Sequence, residues 1–272
     1  MKRRIELVQN YTLLAIVGIL MIVPFVGMIS QSLKATGAFF EYPFQWIPES
    51  PTLENYRLLF RSSSILRWTL NSLLIAGGCS ILQILTASLA GYGFARKKFW
   101  GRDVIFWFML LQLILPYHVT VIPIFLLLTK LNIVDTYWAF WLPFSTSVFS
   151  TFLMRQAIIT IPQEYDEAAR MDGATDLQIY WSVLLPMCRP TVVVLAIFTF
   201  LQLWNDFFYA LIVIQSDSMK TLQVGLAGLQ PLGGQPGVLM AGAAFAFLPT
   251  LILFLTQQRH ILSGLQAGGL KG

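Results

Sequence analysis

Long apolar runs separated by short polar stretches dominate this 272-residue chain; they cover 11–30, 69–94, 104–128, 136–154, 192–214 and 238–256. An α-helix needs about 20 apolar residues to cross the roughly 30 Å hydrocarbon core of a bilayer. Each run is that long, so the pattern predicts an all-α, polytopic membrane protein with six transmembrane helices. Pro116 and Pro123 interrupt the third run, where a kink or local break is expected. Ala87, Gly91 and Ala95, beside Ala90, put small residues four apart on the second run, a spacing that suits close helix packing.

One stretch does not fit lipid. Residues 162–186 are polar, acidic and patterned as two short helices. Pro162 suits a first helical position, where its missing N–H has no partner. Glu164, Asp166 and Glu167 follow in the first turns, where the helix dipole favours acids. Ile161, Tyr165, Ala168 and Ala169 fall on one face at helical spacing. Gly173 fits the left-handed cap that stops a helix. Thr175 and Gln178 then have capping-box spacing, and Leu177, Tyr180, Trp181 and Leu184 form a narrow apolar stripe. Pro186 is expected to end that helix and Pro190 to precede the next span.

An amphipathic helix lying on headgroups is rich in Lys and Arg. Here Arg170 stands against Glu164, Asp166, Glu167 and Asp172, so an anionic surface repels the segment. Ala168 and Ala169 add little bulk, which suits a helix lying deep in a partner's groove. The favoured expectation is a cytoplasmic docking element.

Composition confirms the class. Hydrophobic residues make up 56% and charged residues 11% of the chain, outside the soluble norm. The net charge of +5 sits in clusters flanking apolar runs, which argues against nucleic acid as a partner and for membrane lipid. With both termini cytoplasmic, the inner segments hold Lys2, Arg3, Arg4, Arg96, Lys97, Lys98, Arg102, Arg155, Arg170, Arg189, Arg259 and Lys271. The outer ones hold Lys34, Arg57, Arg61, Arg67, Lys130 and Lys220, half as many, in keeping with the positive-inside rule. Lys2-Arg3-Arg4 before 11–30 lacks a convincing cleavage site downstream, so the first run is expected to stay as a transmembrane helix. Phe39, Phe40, Tyr42, Phe44 and Trp46 lie in the outer segment 31–68, as interfacial aromatics or as a docking surface.

Catalytic chemistry finds no support. Cys79 and Cys188 are far apart, His118 and His260 are isolated, and no metal-ligand spacing occurs. No G-x-x-x-x-G-K-[ST] loop offers a phosphate cradle. An intramembrane enzyme would need paired acids, a Ser/His pair or a metal cluster within the runs. An ion-coupled secondary transporter would need acids in several runs, yet Asp206 alone lies deep in one. That acid, with Asn205, is expected to be an interhelical anchor or gate, and less often a solute contact. Gln83, Gln112, Tyr117 and His118 are further pathway candidates, with His118 more simply a satisfied polar residue beside Pro116.

Glu167-Ala168-Ala169, Asp172-Gly173-Ala174 and Leu185-Pro186 with Pro190 resemble the EAA signature of bacterial ATP-binding cassette importer permeases. Asn55-Tyr56, Asn71-Ser72, Trp204-Asn205-Asp206, Thr221-Leu222 with Val224-Gly225-Leu226, and Gly264-Leu265 through Gly268 to Lys271-Gly272 are similar to the maltose-type carbohydrate permeases, specifically the smaller six-span subunit of the heterodimer. The resemblance covers nearly the whole chain. It implies a type I importer in the bacterial inner membrane with a second, different permease subunit. It also implies two cytoplasmic ATPase subunits carrying ATP and Mg, and an extracytoplasmic solute-binding protein. By the same resemblance Glu164, Glu167, Ala168, Ala169, Asp172, Gly173 and Ala174 contact an ATPase subunit, and the tail 263–272 reaches between the two. Disaccharides, longer oligosaccharides, glycosylated polyols and glycerol 3-phosphate stay open as solutes. The lack of a basic cluster within the runs favours a neutral one.

Overall fold

The structure is a computed structural model that describes residues 2–35, 45–229 and 236–269. Phe39, Phe40, Tyr42, Phe44 and the side chains of the tail 263–272 lie outside the described residues. Among the described residues every regular element is helical. Two compact units are distinguished, residues 1–66 with 224–251, and residues 67–223 with 252–272.

The first unit contains α1 (Lys2–Ser32) and α2 (Glu54–Ser62), together with most of α13 (Leu222–Ala227) and the first half of α14 (Pro236–Gly269). Asn55 closes the end of α1, its side-chain amide donating to the Ser32 and Lys34 carbonyls at 3.0 and 2.7 Å. Phe25 stacks on Phe247 and Phe60 meets Phe245 edge-on. These contacts account for Asn55-Tyr56 as a conspicuous polar pair: Tyr56 also shares a 2.9 Å hydrogen bond with Ser32.

The second unit is organised around α3 (Ile65–Arg96). At 1.5 Å per residue its 32 residues extend about 48 Å, well beyond the hydrocarbon core. So long a helix reaches beyond that core at one end or both. Gly91 lets α3 touch α7 (Val148–Ile159): a Cβ there would meet Met154 Cβ at 2.8 Å and the Arg155 backbone nitrogen at 2.9 Å. Deeper in, the Gln83 amide donates to Ser150 at 2.7 Å and to Thr199 at 2.8 Å, tying α3 to α7 and to α11 (Arg189–Trp204).

Among the described residues three helices are long and apolar enough to cross a membrane unbroken: Gln9–Ser32, Ile65–Arg96 and Pro236–Gln258. The remaining runs differ from the single helices expected. The third is α4 (Arg102–Leu111), a 3-10 turn Gln112–Ile114 and α5 (Tyr117–Lys130), bent by 103° across Leu115 and Pro116. Pro123 sits inside α5 without breaking it, a correction to the expected interruption there. The fourth, 136–154, is split into α6 (Trp138–Phe144) and α7, because Ser147 leaves the helix and accepts from the Ser150 N–H as an N-cap. The fifth, 192–214, stops at Trp204, and its remainder is α12 (Phe208–Val213).

Candidate coupling site

The segment 162–186 folds as two short helices meeting at a glycine. α8 (Glu164–Met171) carries Glu164, Asp166 and Glu167 in its first turn, and Gly173 follows with φ +81°. Pro162 lies two residues ahead of α8, not at its first position. Thr175 and Gln178 form the full capping box of α9 (Asp176–Ile179). Then comes a π-helical turn, Tyr180–Leu184, and α10 (Leu185–Met187), so Pro186 starts a short helix where it was expected to end one. Cys188 marks a 77° bend into α11, whose first turn holds Pro190.

This elbow is bolted to the end of α3. Arg96 Nε donates to Asp166 Oδ2 at 2.8 Å and its Nη2 donates to the Ile161 carbonyl at 2.7 Å. Only 5% of the Arg96 side chain and 9% of the Asp166 side chain are exposed. Removing one partner from such a pair costs about 3–5 kcal/mol, because the other charge stays buried. A second tie joins Lys97 Nζ to Asp176 Oδ2 at 2.5 Å, and Arg170 of α8 reaches Asp176 Oδ1 at 3.0 Å across the elbow. The hydrogen bond from Lys97 holds the Asp176 carboxyl below the usual carboxylate range against slight desolvation, with Arg170 and Tyr92 assisting. Lys97 is disfavoured by burial, yet Asp176 and Tyr92 together raise its pKa. Finally, the Tyr180 and Ser88 hydroxyls are hydrogen bonded at 2.7 Å.

Apolar packing closes the joint. Ala87, Tyr92, Met154, Ile158, Ile161, Ile179, Tyr180, Leu184, Cys188 and Leu195 form one buried cluster. Within lipid, helix association gains little from hydrophobic burial. In water, full burial of Ile179 or Leu184 contributes about 1.5–3 kcal/mol each.

The elbow has two distinct faces. Glu164, Glu167, Ala168, Asp172 and Gly173 are exposed, while Ala169 and Ala174 are half-buried and pack against the inner cluster. The single face expected for Ile161, Tyr165, Ala168 and Ala169 is thus divided: Ile161 and Ala169 turn inward, Tyr165 and Ala168 outward. The stripe at 177–184 divides likewise, with Tyr180 and Leu184 buried, Leu177 and Trp181 exposed. Asp166, expected among the outward acids, is turned in on Arg96. Met171 was missed, and at 88% exposure it is, like Tyr165 and Leu177, an apolar side chain of the elbow left open. The inner anchors were also missed. A signal for them existed, since Ser88 and Tyr92 on the second run and Arg96 just beyond it recur every four residues.

The pathway candidates do not form one cluster. Gln83 is a buried tie between helices, and Gln112 lies exposed in the 3-10 turn. Asn205 donates to the Leu201 carbonyl at 2.8 Å. Asp206 accepts from the Ala210 N–H at 3.0 Å, capping α12 locally where an interhelical anchor was expected. Tyr117 stands apart: its hydroxyl is buried and has no hydrogen-bond partner among the described residues. It belongs to an aromatic group with His118, Phe144, Phe208 and Tyr209, in which His118 and Phe208 lie 5.0 Å apart between ring centres. No group of three or more His, Cys, Asp or Glu suited to a metal occurs among the described residues.

The family described as binding-protein-dependent transport system inner membrane component matches residues 83–265, elbow included. The chain belongs to this family. The permease is 36% identical to the arabinooligosaccharides transport system permease protein AraQ of Bacillus subtilis, over 83% of this chain and 81% of that protein. It is 31% identical to the maltodextrin transport system permease protein MdxG of the same organism, over 99% and 98%. Among solved structures it resembles a chain of a bacterial ABC transporter involved in the import of the acidic polysaccharide alginate. That likeness has a TM-score of 0.85 at 22% identity and covers 94% of this chain and 96% of the other, establishing the permease fold.

Proposed function

We propose that this permease carries a neutral oligosaccharide across the bacterial inner membrane and is driven by an ATPase subunit docked on residues 163–175. The relatives named for arabinooligosaccharides and maltodextrin support the sugar. The observation that carries the docking reading is the two-faced elbow. An acidic, small-residue surface with Met171 and Leu177 is displayed outward, while the opposite face is locked to α3 by Arg96 and Lys97. A surface held this rigidly in water and left uncovered suits a groove on a partner, because little order remains to be imposed on binding.

In this reading the broken helices complete six crossings, with both termini cytoplasmic. A second, different permease supplies the other half of the pathway. Two ATPase subunits hold ATP and Mg, and an extracytoplasmic binding protein delivers the solute. Nucleotide-driven closure of the ATPase pair moves the elbow, and the spans shift between inward- and outward-facing states. Family membership sets aside the ion-coupled transporter.

Replacing Glu167 with Lys and Gly173 with Val, separately, tests the docking. Each variant is expected to lower copurification of the ATPase subunits, or transport per ATP, by about tenfold, within the usual range of coupling energies. Wild-type values in both variants refute the assignment.

A further inference from the structure

We propose that Arg96 is the positioning residue that makes the elbow and α3 one rigid lever, so that force received at residues 163–175 reaches the bundle interior. The proposal rests on the docking reading and adds the element that transmits it.

The observations converge on one face of one helix. Ser88, Tyr92 and Arg96 recur four residues apart along α3. Each touches a different part of the elbow: Ser88 the π turn through Tyr180, Tyr92 the start of α9 through Asp176 at 3.5 Å, and Arg96 the first turn of α8 through Asp166. Arg96 also holds the Ile161 carbonyl, in the link that leaves α7. Its guanidinium therefore joins three segments at the place where the chain turns out of the membrane. Asp166 Oδ1 is buried without a hydrogen-bond partner, so Arg96 is what keeps that carboxylate in place. Farther along α3, Gly91 seats the helix directly on α7 and Gln83 binds α7 and α11. From Arg96, which grips Asp166, back to Gln83 the chain is a single unbroken helix.

The test uses the complete transporter in proteoliposomes, read by ATPase copurification and by solute moved per ATP hydrolysed. R96Q and D166N leave the outward face of the elbow unchanged. Both are expected to retain their ATPase subunits yet to lose about tenfold in solute per ATP, a size typical of coupling between sites. The exchanged pair R96D/D166R is expected to regain about threefold or more over either single variant, the non-additivity that marks a direct interaction. An unchanged ratio in both single variants, or no recovery in the exchanged pair, overturns the proposal while leaving the docking reading intact. Failure of the wild-type permease to bring down any ATPase subunit removes both. A second measurement leaves the pair native: spin labels at exposed Lys98 and Ser182 are expected to keep their separation between nucleotide-free and nucleotide-trapped transporter. A change beyond the roughly 1–2 Å of ordinary helix shifts also overturns the rigid lever.

Discussion

Gly91 and Gly93 lie two residues apart on α3 and have opposite surroundings. A Cβ at 91 meets the Met154 side chain and the Arg155 backbone, whereas one at 93 meets nothing within 4 Å. Gly91→Ala must push α3 off α7 and is expected to cost about 1–3 kcal/mol, as overpacking does. Gly93→Ala is expected to be neutral or to stabilise by about 0.5–1 kcal/mol, since Ala loses less backbone freedom in a helix. Thermal unfolding of the purified permease in detergent distinguishes them. Sequence pattern alone marks both as small residues within one apolar run. It cannot tell which faces a neighbouring backbone, because that neighbour lies more than sixty positions away. The same holds for Asp166. Its acidity and place in a first turn were legible, but the partner that turns it inward, Arg96, is 70 positions distant.

Elements defined by local bonds were legible to the residue. Gly173 and the Thr175–Gln178 box appear as expected because the groups that decide them lie within a few positions of one another. The elbow's ion pairs give it a pH signature. Asp176 has a depressed folded pKa, so its contribution is present above the unfolded carboxylate value near 3.8 and is lost as pH falls through the lower folded value. Lys97 has a raised folded pKa, so its contribution is full below 10.5 and is lost as pH rises through the folded value. D176N and K97M are each expected to flatten both the acid and the alkaline limb of elbow stability, because either substitution removes the ion pair that shifts both groups. Proteolysis within residues 163–175 against pH reads both. Helix breaks were less legible than helix ends. Hydropathy does not register the interruption at 145–147 or at 205–207, since Ser, Asn and Asp there satisfy backbone N–H or C=O groups locally without lowering the mean enough to end the run.

For the whole transporter, Tyr117 and Gln83 separate transport from architecture. Both are polar groups in apolar runs, and both were candidates for the solute path. Gln83 spends its amide on α7 and α11, so Gln83→Leu is expected to lower the yield of folded permease by removing hydrogen bonds worth about 0.6 kcal/mol each in a membrane, with transport per assembled complex unchanged. Tyr117 keeps an unengaged hydroxyl in an aromatic group, a combination suited to sugar. Tyr117→Phe is expected to reduce uptake several-fold at limiting solute while assembly and ATPase binding stay intact. Uptake kinetics with a panel of oligosaccharides check both variants.

Membrane residence, helical class and the existence of a polar elbow follow from residue order, because lipid demands about 20 apolar residues per crossing and any polar departure from that rule is conspicuous. Which side of the elbow is left exposed, where the apolar helices break, and that Arg96 reaches Asp166 were settled by folding alone. Those outcomes depend on charges and surfaces far apart in the chain, whose cost of burial is met only when tertiary packing brings the partner alongside.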